Sequence, residues 1–208
     1  MTNRRTPTTY AILGLLNVQS WTTYELAKQV QRSLSWFWPR AERKLYDEPK
    51  RLVADGLATA TKETTGKRPR TVYGITDAGR DELRRWLDAP PAPPTTEFEG
   101  LVKLFFAEAG SLEQLTMTLD AIAAEATERI DVLRGRADAA IDEPRFPGRQ
   151  HVSTVCLRLA LDQEVAVLRW VDWVREQVAQ WPDAADPGAW DGDRVLAELA
   201  ADARAAVG

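Results

Sequence analysis

One cysteine, one histidine and two methionines in 208 residues leave several chemistries without material. Cys156 has no partner for an internal disulfide, so a covalent framework is excluded. With His151 alone, a multi-histidine metal site or a Ser/His/Asp relay has no alternatives to draw on. That residue falls near the start of an expected helix, where it reads as a solvated or capping side chain. Glycine-rich phosphate loops are missing, since Gly66 and Gly74 match neither nucleotide motif. The carboxylate pairs Asp142/Glu143 and Asp191/Asp193 fall at loops or helix ends, as solubility and capping residues do. No apolar run approaches the ~20 residues of a membrane span, and the N-terminus carries no signal-peptide pattern. A cytoplasmic protein with no membrane partner follows. Nothing calls for a cofactor or a metal, and an enzyme is the least supported class.

What is present is an ordinary soluble composition, 44% hydrophobic and 28% charged, long enough for two modest cores. Its charge is unevenly spread. Residues 1–88 carry 16 Lys/Arg against 10 Asp/Glu, a balance of +6, and residues 89–208 carry 11 against 21, a balance of −10. Only the first half is suited to a polyanion. Between them, residues 89–96 hold four prolines, which excludes a helix and favours a stiff connector. The expected organisation is therefore 1–88, a linker at 89–96, and 97–208.

The basic half reads as three helices, a ribbon and a fourth helix. Pro7 can open a helix bearing Tyr10, Ile12, Leu13, Leu15 and Leu16. After a break near Ser20, Thr22 or Thr23 can cap a second, with Leu26, Ala27 and Val30 inward and Lys28, Gln31 and Arg32 outward. The third is expected over 39–55. On a helical wheel Ala41, Leu45, Pro49, Leu52 and Val53 fall within about 120° of one another. Arg40, Arg43, Lys44, Lys50 and Arg51, with one carboxylate from Asp47, take the opposite arc. An ordinary surface helix interleaves both signs, so this face suits phosphates and base edges. Pro49 predicts a kink or a looser middle turn, and Gly56 a stop through positive φ. Residues 57–62 and 70–75 have strand composition, joined by turn chemistry at 65–69. Thr76 can cap a helix ending at Leu87.

This order is that of a winged helix-turn-helix: mainly α, with a small β-wing. Its third helix would enter a major groove, while Lys67, Arg68 and Arg70 reach the backbone or minor groove from the wing. Arg4 and Arg5 could add an arm. Tyr24-Glu25-Leu26, Leu45-Tyr46, Arg51-Leu52, Asp55-Gly56-Leu57 and the run Tyr73-Gly74-Ile75-Thr76-Asp77-Ala78-Gly79 resemble the PadR family of bacterial transcriptional regulators. The likeness covers residues 7–87 in detail. The helical half is similar to the C-terminal domain of the virulence-activator-like subfamily by length and pattern. The resemblance implies a dimer on a pseudo-palindromic operator in double-stranded DNA, usually as a repressor. It places Tyr46 against the DNA backbone and Tyr24 on the second helix near the duplex. Family members commonly have proline directly after that tyrosine; here Asp47 follows and proline waits until Pro49.

The acidic half reads as wholly helical. A short apolar helix is expected over 98–109, and Ser111 with Gln114 forms a capping box for the next. That helix has a near-heptad seam of Leu115, Leu119, Ile122, Ala126, Ile130, Leu133 and Ala137. A long helix over 149–180 carries Val152, Cys156, Leu159, Val167, Trp170, Val174 and Val178, and an Ala-rich helix closes the chain at 193–206. These seams need each other or a second subunit, so an antiparallel helical dimerisation domain is the economical answer. In some family members tryptophans at the dimer interface stack on flat hydrophobic effectors, which makes Trp170 and Trp173 the candidates for an effector or dimer contact. Cys156 has no cation three or four residues away, and reads as a buried apolar residue. A homodimeric DNA-binding regulator is the leading reading. A winged helix that binds an acidic protein partner, or one that coats DNA regardless of sequence, is the alternative.

Overall fold

The structure, a computed structural model, describes residues 5–34, 37–38, 46–65, 68–95, 97–143 and 145–208. It forms two compact units, Met1–Pro94 and Thr95–Gly208.

In the first unit Pro7 sits in the first turn of α1 (Pro7–Val18), where its missing N–H would have no partner anyway. Ile12, Leu13, Leu15 and Leu16 are buried, four of the five expected from the sequence, and Tyr10 is half-buried. The break after α1 hides a strand that composition does not reveal. Trp21 is fully buried, its indole N–H donates to the Leu15 carbonyl at 2.7 Å, and β1 (Trp21–Thr22) pairs with Tyr73 and Val72. The expected two-stranded ribbon is thus a three-stranded antiparallel sheet, in the order β1-β3-β2. Thr22 caps α2 (Thr23–Ser33) reciprocally: it accepts from the Glu25 N–H at 3.2 Å, and Glu25 accepts from the Thr22 N–H at 2.9 Å.

The third helix differs from expectation. Described helix runs only over α3 (Glu48–Ala54), with Tyr46 and Asp47 in a turn before it. Pro49 therefore lies in the first turn of this helical run and costs it no hydrogen bond. Residues 39–45 lie outside the described residues. Gly56, at φ +73°, ends α3 as expected. The Leu57 N–H returns to the Leu52 carbonyl at 2.8 Å and the Gly56 N–H to Val53 at 3.0 Å, satisfying the last carbonyls of the helix.

Strands β2 (Ala58–Thr65) and β3 (Arg68–Ile75) pair from Ala58↔Ile75 out to Thr65↔Arg68. Residues 65, 68 and 69, expected in the turn, belong to the strands. Thr76 caps α4 (Asp77–Leu87) through the Gly79 N–H at 3.0 Å. Gly79 has a steric reason to be glycine: a Cβ there would lie 2.1 Å from the Leu57 carbonyl oxygen. Tyr10 stacks on Trp86 at 4.8 Å and donates to Glu82 at 2.9 Å, locking α1 to α4. Burial, then the Glu82 carboxylate, pushes the Tyr10 phenol above its usual value.

The second unit contains α5 (Glu99–Phe105), α6 (Leu112–Asp142), α7 (Gln150–Val178) and α8 (Gly192–Val207). The apolar stretch expected as one helix over 98–109 divides into α5 and a 3₁₀ turn, Ala107–Ala109. Ser111 and Gln114 form the expected capping box of α6. Leu115, Leu119 and Ile122 pack on Val171, Val174 and Val178, with Phe98, Leu104 and Trp170 around them. The ion pairs Arg175–Asp120, at 2.6 Å, and Arg129–Glu164, at 3.2 Å, make α6 and α7 antiparallel neighbours.

One seam is corrected. The N-terminal half of α7 was expected to bury Val152, Cys156 and Leu159; all three are exposed, so Cys156 is not a core residue of this chain. Leu157, Ala160 and Leu161 are the half-buried apolar residues there. Two apolar lines run along α7, and periodicity alone does not say which one the chain's own α6 takes.

Candidate nucleic-acid interface

Helices α2 and α3 bury one side and leave the other to solvent. On α2, Leu26, Gln29 and Val30 are buried, while Tyr24 is 66% exposed. The Lys28 ammonium stands 4.6 Å from the centre of the Tyr24 ring, a cation held over an aromatic face that remains open. At the start of α3, Tyr46 is also 66% exposed and Lys50 projects into solvent, 3.6 Å from the Asp47 carboxylate. Such a pair at the surface is worth well under ~1 kcal/mol and yields to a phosphate. Arg51 reaches Glu48 at 3.6 Å.

The inner side of α3 is fixed by Pro49, Leu52 and Glu48, the last only 4% exposed. The Thr9 hydroxyl donates to the Glu48 carboxylate at 2.5 Å, tying the exposed Tyr46–Lys50 face to α1. Sequence reasoning missed Glu48, because its partner lies 39 residues away and no local pattern announces it. It counted Lys28 only as an outward residue; the pairing with Tyr24 four positions earlier was the available signal.

Of the residues singled out from the sequence, Arg4, Arg40, Arg43, Lys44 and Lys67 lie outside the described residues, and of Arg68 only the backbone place at the start of β3 is described. Arg70 is exposed on β3 but paired: its Nε and Nη2 donate to Glu63 on β2 at 3.2 and 2.8 Å. Arg5, considered as an arm, is instead bonded inside the unit, 3.0 Å from Glu82 and 3.3 Å from Asp55. In the second unit, Trp170 is half-buried, edge-on to Phe98 at 6.3 Å, while Trp173 lies on the exposed side of α7. His151 is exposed. Among the described residues no three His, Cys, Asp or Glu side chains gather as a metal site, and no helix is long and apolar enough to cross a membrane.

Comparison with known proteins gives this geometry its context. Residues 12–85 match the transcriptional regulator PadR-like family, and residues 99–179 match the C-terminal domain of the virulence activator alpha type. A probable transcriptional regulator of Mycobacterium tuberculosis is 29% identical over 184 residues, covering 82% of this chain and 97% of that protein. The negative transcriptional regulator PadR of Bacillus subtilis is 26% identical over 168 residues, covering 78% and 92%. The crystal structure of that PadR in complex with operator DNA superposes with a TM-score of 0.71 at 25% identity, over 82% of this chain and 98% of that one. Its complex with p-coumaric acid superposes with a TM-score of 0.66 at 22% identity, over 85% and 99%. The three-stranded winged helix, the helical unit that follows it in the chain and both family matches agree: the chain belongs to the PadR-like family of transcriptional regulators.

Proposed function

We propose that this protein is a cytoplasmic, homodimeric repressor that binds a pseudo-palindromic operator in double-stranded DNA, with no catalytic role. The observation that carries the reading is the open side of the winged helix. Tyr24 and Lys28 on α2, Lys50 on α3 and Tyr46 in the turn before it face solvent, while the other sides of both helices are buried. The sequence adds Arg40, Arg43 and Lys44 upstream on the recognition segment, with Lys67, Arg68 and Arg70 on the wing. Lys and Arg contacts to phosphate supply affinity, and a few side chains of the recognition segment supply sequence preference. Bacillus subtilis PadR, with the same fold, has been solved on its operator.

A homodimer is supported by a second seam on α7. Val152, Val155, Leu159, Ala166 and Trp173 lie within ~60° of one another on the helix, turned away from α6, and all are exposed. Four of them recur every seventh residue, the spacing of a helix that pairs with another. Dimerisation would set two reading heads ~34 Å apart, one turn of DNA. An effector acting on the helical unit would change that spacing and so the affinity. The exposed Trp173 suits a flat aromatic or hydrophobic molecule, the class to which the p-coumaric acid bound by the Bacillus protein belongs.

Selection of bound sequences from random duplex DNA, followed by titration of the winner at several salt concentrations, tests this. Two inverted half-sites with centres ~10 bp apart and a steep fall of affinity with salt are expected. Enrichment of no sequence would leave only coating of DNA. Failure to bind duplex DNA at low salt would favour a protein partner for the winged helix.

A further inference from the structure

We infer that α8 is a clasp for a second copy of this chain, its apolar face covering the partner's α7 at Val152, Val155 and Leu159; this rests on the homodimer proposed above. Helix α8 lies beyond both matched segments, which end at residues 85 and 179, so the family domains leave its role open. It is amphipathic. Val195, Leu196, Leu199, Ala203 and Val207 fall within ~120°, while Arg194, Glu198 and Asp202 take another side. Only Val195 is buried; Leu196 is 64% exposed and Val207 88%.

Among the described residues, the contacts that hold the helix lie at its root. The Trp190 indole N–H donates to Gln177 at 3.0 Å, Trp190 meets Trp181 edge-on at 5.8 Å, and Asp191 caps the Arg194 N–H at 2.9 Å. Beyond that root α8 makes no extended contact with another helix of its unit. Sixteen residues without a covered face form a marginal helix in water.

The chain cannot cover this face with its own apolar patch on α7. From Gln177, where α8 is rooted, to Leu159 is ~27 Å along α7, whereas Val195 to Val207 spans only ~18 Å. A second copy removes the shortfall. If the seam pairs with itself about a two-fold axis at Ala166, the partner's Leu159 meets Trp173 and the partner's Val155 meets Gln177, directly at the root of α8. The small Ala166 side chain suits the closest approach at the axis. Each copy then lays α8 over the other's exposed Val152–Leu159 patch, extending the α7 seam into one continuous interface.

The lone cysteine makes this testable with one substitution, because Cys156 lies within the patch to be covered. Leu199→Cys in the full chain is oxidised mildly and read on non-reducing gels, beside sedimentation of the untreated protein. The clasp predicts a covalent dimer from L199C, and none from the wild type or from C156S/L199C. It also predicts that L196E/L199E raises the dimer dissociation constant at least tenfold. An intrachain disulfide, or no crosslink in a chain that sediments as a dimer, would overturn it. A covalent dimer from C156S/L199C would put the two α8 helices against each other instead. One from the wild type would move the axis toward Cys156. A wild-type chain that sediments as a monomer would sink the homodimer itself, a failure separate from that of the clasp.

Discussion

Thr9→Val tests how the recognition segment is held. The substitution keeps the volume of a side chain that is only 5% or less exposed but deletes its hydroxyl, which donates to Glu48 at 2.5 Å and accepts from the Thr6 N–H at 3.2 Å. A hydrogen bond to a charged group contributes ~1.5–3 kcal/mol. The lost cap at the start of α1 adds up to ~1 kcal/mol. Glu48 is left buried with Arg51, at 3.6 Å, as its nearest cation among the described residues, too far to replace a short bond. The expected cost is ~3 kcal/mol, concentrated where α1 meets α3. Hydrogen exchange followed by mass spectrometry reads it directly: amides of residues 48–54 should exchange ~100-fold faster, since ~1.4 kcal/mol is a factor of ten. Thr9→Ser keeps the hydroxyl and should stay within ~1 kcal/mol. In Thr9→Val/Glu48→Met the buried charge is gone as well, and much of the protection should return. Exchange in Thr9→Val within threefold of wild type would refute the reasoning, and so would a double variant worse than the single one. Because Tyr46 and Lys50 flank Glu48, operator affinity should fall in Thr9→Val and recover with the protection.

Gly79→Ala should lose ~1–3 kcal/mol in thermal unfolding, since the added Cβ meets a main-chain oxygen that cannot rotate aside; an unchanged midpoint would contradict the contact. Glu63→Gln removes the carboxylate that holds Arg70, and should steepen the dependence of log affinity on log salt by up to ~0.9, one more phosphate contact. A slope equal to wild type would keep Arg70 out of the DNA interface. Lys28→Ala should do the reverse, flattening the slope by ~0.9 with little change in sequence preference, as read by anisotropy on operator and scrambled duplexes. Tyr10 gives a pH effect of known sign. Its folded pKa is raised, so the stability from its neutral form is complete below the unfolded value of ~10 and is lost as pH rises through the folded one. Tyr10→Phe should flatten alkaline unfolding curves, and a variant with unaltered pH dependence would count against the Glu82 bond.

Local signals carried most of the fold. Pro7, Thr22, Gly56, Thr76 and Ser111 each mark a helix end by chemistry within four residues, and the structure puts an end at each. What the sequence hid was nonlocal. Trp21 forms a two-residue strand only because β3 lies beside it, and Glu48 is buried only because Thr9 reaches it. The line of α7 that packs on α6 is decided by contacts with the other helix, Val171, Val174 and Val178 against Leu115, Leu119 and Ile122, which no single-helix periodicity contains. Of the cations that the wheel gathers on one face of the recognition segment, Lys50 and Arg51 fall within the described residues, and both are exposed. The bracing of that segment was not legible, because an inward carboxylate in a basic helix looks like any other surface charge until its partner is placed.

The backbone of Leu57 has a mechanical consequence. Its N–H closes α3, its carbonyl accepts from the Thr76 N–H at 3.1 Å, and the same oxygen fills the space that Gly79 leaves beside α4. Three elements thus meet at one residue, with both of its backbone polar groups bonded and β2 leaving directly from it. Among the described residues, the base of the wing and α3 are tied to one residue, so a pull on either is carried to the other, and the two would approach or leave a duplex together.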